Sequence, residues 1–401
     1  MTHLQVVPRI QGFLCKINKK VERKMYTVQE KEFSLEFLNK VKQKIAIMAP
    51  IIGANFPNTN SATGIWDPIG KNANISSWTT AFWPGIMWLM YLDTNSQTYK
   101  EIAEKCEDKL DEALSNFSRL HHDVGFMWSL SAIADYKITG NIRSKERAMH
   151  AATILAGRFN HVAKYIRAWN GNVVGTAIID SMMNLPILYW ASEESDDPRF
   201  RQIAIEHANT VMNTFIRPDG SVNHMVDFDP ESGEVLATPF GQGYESGSSW
   251  SRGQAWAIYG FVLSYLNTKE EKFLNVAKSV AHYFIANLED ERLPRIDFRA
   301  PEEPQYYDAS AAAIAACGLI EIANCVGEYE KRIYERAAIK LLHVLDADCD
   351  YSEQSLNLLC TSSASYHREK GRHLPWIFGD YYLLEALMKL KGNDGRFTVH
   401  K

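Results

Sequence analysis

The sequence predicts an all-α chain folded as an (α/α)6 barrel, two concentric rings of six helices. Three observations carry this. Apolar residues recur at helical spacing along nearly all of the 401 residues, as in Tyr99, Ile102, Ala103, Cys106, Leu110, Ala113 and Leu114. The segments 78–90 (WTTAFWPGIMWLM) and 250–263 (WSRGQAWAIYGFV) are apolar on every face, the mark of a buried helix rather than an amphipathic one. The two kinds of segment alternate, and no linker rich in Pro, Gly or Ser separates them.

Taken in order, residues 1–24 read as a disordered arm. It is basic (Arg9, Lys16, Lys19, Lys20), broken by Pro8, and followed by no small-residue cleavage site, so a signal peptide is not expected. Met25 precedes the first patterned segment, and 25–401 is expected to be one domain. Helices are expected near 34–49, 82–92, 99–114, 124–138, 143–159, 176–192, 197–216, 252–267, 273–284, 307–326, 333–344 and 379–391, about twelve in all. Convincing strand alternation is scarce; 222–236 is the candidate for a short hairpin, with Asp229-Pro230 and Ser232-Gly233 as turn signals. No repeat of fixed period is present.

Composition bounds the function. Hydrophobic residues make up 46% and charged residues 23%, as in an ordinary globular protein with a large core. The net charge of -5 gives no broad basic surface for nucleic acid or an anionic membrane, though it leaves room for a local cationic pocket. No stretch approaches the roughly 20 apolar residues of a membrane span. The six cysteines form no C-x-x-C pair and no zinc-ligand spacing. Cys106, Cys317 and Cys325 are expected to be reduced and buried, in a cytoplasmic protein that is a monomer or weak homodimer.

The loops at 62–78, 119–126, 165–172, 218–230 and 238–252 are rich in Trp, His, Asp and Gln. Aromatic rings stack on the apolar faces of sugars and polar groups bond the hydroxyls, so these loops suit a carbohydrate. Asp123, in His121-His122-Asp123-Val124-Gly125-Phe126, is either a helix N-cap or a functional carboxylate. Neighbouring histidines rarely converge on one ion, and no third ligand is obvious, so no metal is expected. Asp180, in Ile178-Ile179-Asp180-Ser181-Met182-Met183-Asn184, lies in an apolar run read as helix. There a carboxylate is costly unless satisfied, by Asn184 for example, or functional. Burial would raise its pKa, which suits a general acid. Arg252, between Trp250 and Trp256, is either a carboxylate clamp or a structural ion-pair partner. His224 and Gln242 are candidate hydroxyl partners.

Five ordered motifs then stand out: H-H-D-x-G-F, I-I-D-x-x-x-N, H-x-x-x-F-D-P-E-x-G, Q-G-x-x-x-x-S-x-W-x-R-G-Q-A-W and G-D-Y-Y-x-L-E-A-L. Over residues 34–391 the chain resembles the unsaturated glucuronyl hydrolases, glycoside hydrolase family 88. The resemblance implies a six-hairpin glycosidase barrel, no metal, and no cofactor. It implies a substrate that is an unsaturated uronide oligosaccharide left by a polysaccharide lyase. It makes Asp123 and Asp180 the catalytic pair, Asp180 being the general acid/base. Trp78, His122, Trp169, His224, Gln242, Arg252 and Trp256 then match substrate-binding residues. Ser365, Arg368 and Lys370 stand where members preferring sulfated glycosaminoglycans carry an S-x-x-S-x-K pattern, with Arg368 in place of the second Ser. Gly241 replaces an Arg of those members, Ser181 replaces a common Cys, and Thr80-Ala81 departs from W-T-[DN]-G-F-W.

Other readings divide on single features. Unsaturated rhamnogalacturonyl hydrolases share this barrel but tend to read R-G-N-G-W where Arg252-Gly253-Gln254-Ala255-Trp256 stands. A sugar 2-epimerase would use paired histidines and leaves Asp180 unexplained. A non-catalytic glycan-binding barrel would be expected to have lost one aspartate.

Overall fold

The computed structural model describes residues 28–57, 65–171 and 173–392; the expected N-terminal arm, 1–24, lies outside them. Among the described residues the chain forms twelve helical segments. The odd-numbered ones are α1 (Val28–Ile52), α3 (Gln97–Ser115), α5 (Ile142–Ala156), α7 (Pro198–Thr214), α9 (Glu271–Ala286) and α11 (Glu328–Asp348). The even-numbered ones are α2 (Phe82–Thr94), α6 (Pro186–Ser195), α8 (Ser251–Thr268), α10 (Ala309–Cys325) and α12 (Ile377–Lys391), with α4 running through Val124–Trp128, Ser129–Ile133 and Ala134–Thr139.

The two sets differ as their sequences require. Each odd helix buries one stripe: α3 hides Ile102, Ala103, Cys106, Leu110, Ala113 and Leu114 and turns its charges outward. The even helices are buried nearly throughout. From Ser251 to Ser264 every residue of α8 is inaccessible, as is every residue of α10 from Ala309 to Ala323. Six buried helices ringed by six amphipathic ones make the (α/α)6 barrel. The inner ring runs α2, α4, α6, α8, α10, α12 and closes where α12 meets α2. Local chemistry starts several helices. Asn141, Asp197 and Asp308 accept from backbone amides two residues on as N-caps, and Pro186 and Pro198 occupy first turns, where a missing N–H costs nothing.

Two expectations change. The run 176–192 is not one helix. Thr176–Ile178 is a strand (β3), Ile179–Asn184 a 3-10 turn, and α6 begins at Pro186. Periodicity cannot separate a buried strand from a buried helix, and the deciding contact is non-local: β3 pairs antiparallel with β4 (Met225–Phe228). The hairpin expected at 222–236 is β4 and β5 (Val235–Ala237), so the sheet has three strands. The helix expected at 143–159 ends at Ala156, and Phe159–Asn160 (β1) pairs instead with Tyr165–Ile166 (β2). In α4, Ser129–Ile133 is a π turn.

The inner helices all point the same way. Trp78, the first turns of α4, α8 and α12, and Asp308 ahead of α10 meet at one end of the barrel, as does the 3-10 turn leading into α6. Their peptide dipoles therefore direct positive ends at that mouth, which favours an anionic ligand there despite the net negative charge. No helix among the described residues is long and apolar enough to cross a membrane.

Candidate active site

The floor of the mouth is aromatic. Trp78 packs against Phe82, Phe126 and Phe378 at centroid distances of 5.3, 5.4 and 4.9 Å, and edge-on to Trp256 at 6.5 Å. Trp256 is fully buried beneath it, whereas Trp78 keeps part of its surface at the mouth. Trp169 lies partly exposed beyond β2, and its carbonyl accepts from Arg158.

Asp123 stands at the start of α4, but its side chain does not cap the helix. Asn184 does that work: its Oδ1 accepts from the Phe126 amide at 2.8 Å, while its Nδ2 donates to Asp123 Oδ1 at 3.0 Å. The cap reading of Asp123 is thereby corrected. Its carboxylate is freed for the mouth because an amide 61 residues later replaces it. Gly125 permits the arrangement, since a Cβ there would lie 2.5 Å from Asn184 Cα.

Two histidines flank this carboxylate, His121 Nδ1 at 3.4 Å from Oδ2 and His122 Nε2 at 3.3 Å from Oδ1. Burial pushes the Asp123 carboxyl above its ordinary range, opposed by His121, the Asn184 amide and Arg158. Burial also holds His122 well below the usual imidazole range, helped by His121 and opposed by Asp180, so it is neutral. His121, His122 and Asp123 each present one potential ligand atom, all within 4.8 Å of one another.

Asp180 sits in the 3-10 turn after β3, partly exposed, rather than inside a helix. Its turn is held from behind. Ser181 Oγ bonds Ile178 O at 2.6 Å and His207 Nε2 at 2.7 Å, and His207 Nδ1 accepts from the Ile166 amide at 2.9 Å. In front, His224 Nε2 lies 3.6 Å from Asp180 Oδ2. The same turn ends in Asn184, whose amide bonds Asp123, so the turn that carries Asp180 is anchored to Asp123 at one end of the barrel.

Arg252 is buried. It pairs with Asp308, donates to the carbonyls of Ser363 at 2.7 Å and Ala364 at 2.9 Å, and stacks on Trp250 at 4.6 Å and Phe378 at 5.4 Å. It thus joins α8 to α10 and to the loop before α12, the structural ion pair that the sequence left open. Gln242 ties two loops together, its side chain donating to Ala364 O and its carbonyl accepting from Tyr366 at 2.9 Å. Ser365 is partly buried in the second of these loops, and Arg368 and Lys370 are exposed on it.

Sequence reasoning passed over Arg158 and His207. Arg158 donates to the carbonyls of Arg167, Ala168 and Trp169 and brings positive charge to Asp123. Burial and Arg167 lower its pKa to about 10. Neither residue lies in a motif, and their partners are chiefly backbone groups.

A helical barrel with two carboxylates and a cluster of aromatic rings at one end has the parts of a glycoside hydrolase of the helical-barrel class. The family model Glycosyl Hydrolase Family 88 matches residues 55–382. The chain belongs to that family, the unsaturated glucuronyl hydrolases. It is 37% identical over 330 residues to the unsaturated glucuronyl hydrolase of Bacillus sp. strain GL1, covering 79% of this chain and 86% of that one. It is 35% identical over 327 residues to the unsaturated chondroitin disaccharide hydrolase of Streptococcus pyogenes serotype M1, covering 78% and 81%. The crystal structure of the Streptococcus agalactiae unsaturated glucuronyl hydrolase superposes with a TM-score of 0.82 at 32% identity, over 92% of this chain and 93% of that one.

Proposed function

We propose that this enzyme removes the Δ4,5-unsaturated uronic acid from the non-reducing end of lyase-generated oligosaccharides by hydrating its double bond. The observation that carries the reading is the pair Asp123 and Asp180 at the dipole-positive end of the barrel, where Asn184, the last residue of the turn that carries Asp180, donates to Asp123. The substrate is a vinyl ether, C4=C5 being conjugated with the ring oxygen. Asp180 delivers a proton to C4, positive charge develops on C5 and the ring oxygen, and the resulting carboxylate activates the water that adds at C5. Asp123 stabilises that charge electrostatically or by a transient covalent bond. The hemiketal then opens and expels the remaining sugar.

Relatives act on glucuronyl and chondroitin substrates by name, which supports a glycosaminoglycan disaccharide here. Gly241 offers no side chain for a sulfate, and this favours unsulfated substrates. The described cysteines are all free, Cys106 and Cys317 buried and Cys325 only partly so, which supports a reducing, cytoplasmic setting.

The test follows the ultraviolet absorbance of the conjugated alkene, which hydration removes. Wild type is expected to bleach a lyase-generated disaccharide and to leave its saturated counterpart intact. Asp180→Asn and Asp123→Asn are each expected to lower kcat by about 10²–10⁴-fold with the fold preserved. Near wild-type turnover in either purified variant contradicts the roles assigned.

A further inference from the structure

His224 is held on three sides. Its carbonyl accepts from the Ile179 amide at 3.0 Å, beside Asp180. One face of its ring lies against Trp250, centroids 4.4 Å apart. Its Nδ1 is 2.9 Å from the Gln242 backbone nitrogen. A backbone N–H only donates, so Nδ1 must be the acceptor nitrogen. The neutral ring then carries its proton on Nε2. That nitrogen is the one facing Asp180 Oδ2 at 3.6 Å, and neither atom has a hydrogen-bond partner among the described residues.

The amide reaches the ring only because the residue before it has no side chain. Gly241 has φ +60, and a Cβ built there would lie 1.9 Å from His224 Nδ1, 2.5 Å from its Cε1 and 2.8 Å from Met225 Sδ. With the loop on its present path a side chain at 241 meets the ring, so the Arg of other members requires a different loop path, while here the glycine keeps the Gln242–His224 contact.

We propose that Gly241 is a positioning residue for the reaction: by letting the Gln242 amide meet His224 Nδ1, it fixes His224 as the Nε2–H donor to Asp180. The proposal deepens the hydration reading and rests on it for the role of Asp180. The ring becomes a donor aimed at the acid/base carboxylate, holding its oxygen toward the substrate. Because Gln242 also grips Ala364 and Tyr366, the loop that carries Ser365, Arg368 and Lys370 is tied to the same residue that meets His224.

The experiment is a double-mutant cycle with a spectroscopic arm. Gly241→Ala is expected to lower kcat by about 10²-fold with KM changed by less than about threefold, and to lower Tm while the purified variant stays folded at the assay temperature. Gly247→Ala is the control, because Gly247 also has positive φ (+83) in the same loop but nothing within 4 Å of its Cβ; kcat and KM should stay within about twofold of wild type. In a His224→Ala background, Gly241→Ala should cost nothing further, since the ring it displaces is gone. Nitrogen NMR of histidine-labelled, substrate-free enzyme, assigned by loss of the signal in His224→Ala, should show Nε2 protonated in wild type and altered in Gly241→Ala. Equal losses in both backgrounds, or a wild-type ring protonated on Nδ1, overturn the proposal. The NMR arm needs no substrate, so it fails or succeeds independently of the hydration reading.

Discussion

His207 acts through the residue next to the acid/base rather than on substrate. It is fully buried, its Nδ1 bound by the Ile166 amide and its Nε2 bonded to Ser181, whose neighbour is Asp180. Burial, with the neighbouring His122, lowers its pKa to about 3, whereas in the unfolded chain it titrates near ~6.5. The sign follows. Above ~6.5 the ring is neutral in both states. Below it the unfolded chain takes up a proton that the folded chain refuses, so stability falls as pH drops toward 3, by about 1.4 kcal/mol per pH unit. His207→Gln removes that titration. Its Tm should lie below wild type at pH 7.5 and approach or overtake it by pH 4.5; parallel Tm–pH curves would contradict the neutral, buried assignment. Asp180 was legible as a candidate because a carboxylate in an apolar run is costly and therefore informative, and Asp123 because it follows two histidines in a motif of the family. His207 and Arg158 were not, because their partners are chiefly backbone groups brought close by β1, β2 and β3, elements that periodicity does not reveal. Arg252 was legible as important, and its buried pairing with Asp308 depended on a partner 56 residues away.

Among the elements, the helices were the readable part. Their two burial patterns separate the inner from the outer ring before any contact is known, as α3 and α10 illustrate. The segments misread, 176–192 and the end of 143–159, are those decided by strand partners far along the chain. The loop between α11 and α12 is likewise set from outside. Asp380 of α12 accepts from the amides of Leu358 and Leu359 at 3.0 and 2.9 Å, and Arg252 grips Ser363 and Ala364. This rigid base presents Arg368 and Lys370 to solvent, with no carboxylate partner for either among the described residues. Two opposed inferences meet here. Gly241 removes one sulfate ligand, and the two cations could supply another. The crowding of His224 around Gly241 favours the first, because position 241 is committed to the site itself. Wild type should turn over unsulfated chondroitin disaccharide with at least the kcat/KM of the 6-sulfated one, and Arg368→Ser should change neither much. A tenfold preference for the sulfated sugar, about 1.4 kcal/mol of transition-state binding, that Arg368→Ser abolishes would place the sulfate site on this loop instead.

The barrel as a whole is a closed ring, and its closure joins the first described helix to the last. Asp93 at the end of α2 is almost completely buried, at 1% side-chain exposure, and pairs with Lys42 of α1 and Lys391 of α12. Arg332 of α11 reaches back to Glu30, and Lys40 to Asp346 at 3.0 Å, so the same seam is stitched along its length. Such contacts span some 300 residues, and no local pattern in the sequence announces them. Burial raises the Asp93 pKa, but Lys391 and Lys42 outweigh it and the net shift is downward. A depressed carboxylate contributes stability that is fully present above its unfolded value near ~3.9 and is lost as pH falls through the folded value. Removing one partner of a buried ion pair costs about 3–5 kcal/mol, and exposed pairs cost far less. The two lysines are partly exposed, so Asp93→Asn should cost about 1–3 kcal/mol at pH 7, the lower part of the range between those cases. The exposed pair Lys340–Asp290 provides the comparison, and Asp290→Asn should leave Tm where it is. Because Asn and protonated Asp are both uncharged, the Asp93→Asn deficit should shrink as pH drops below 4. A deficit independent of pH would mean that the residue acts at the seam by shape rather than by charge, and the ion-pair account of ring closure would fail.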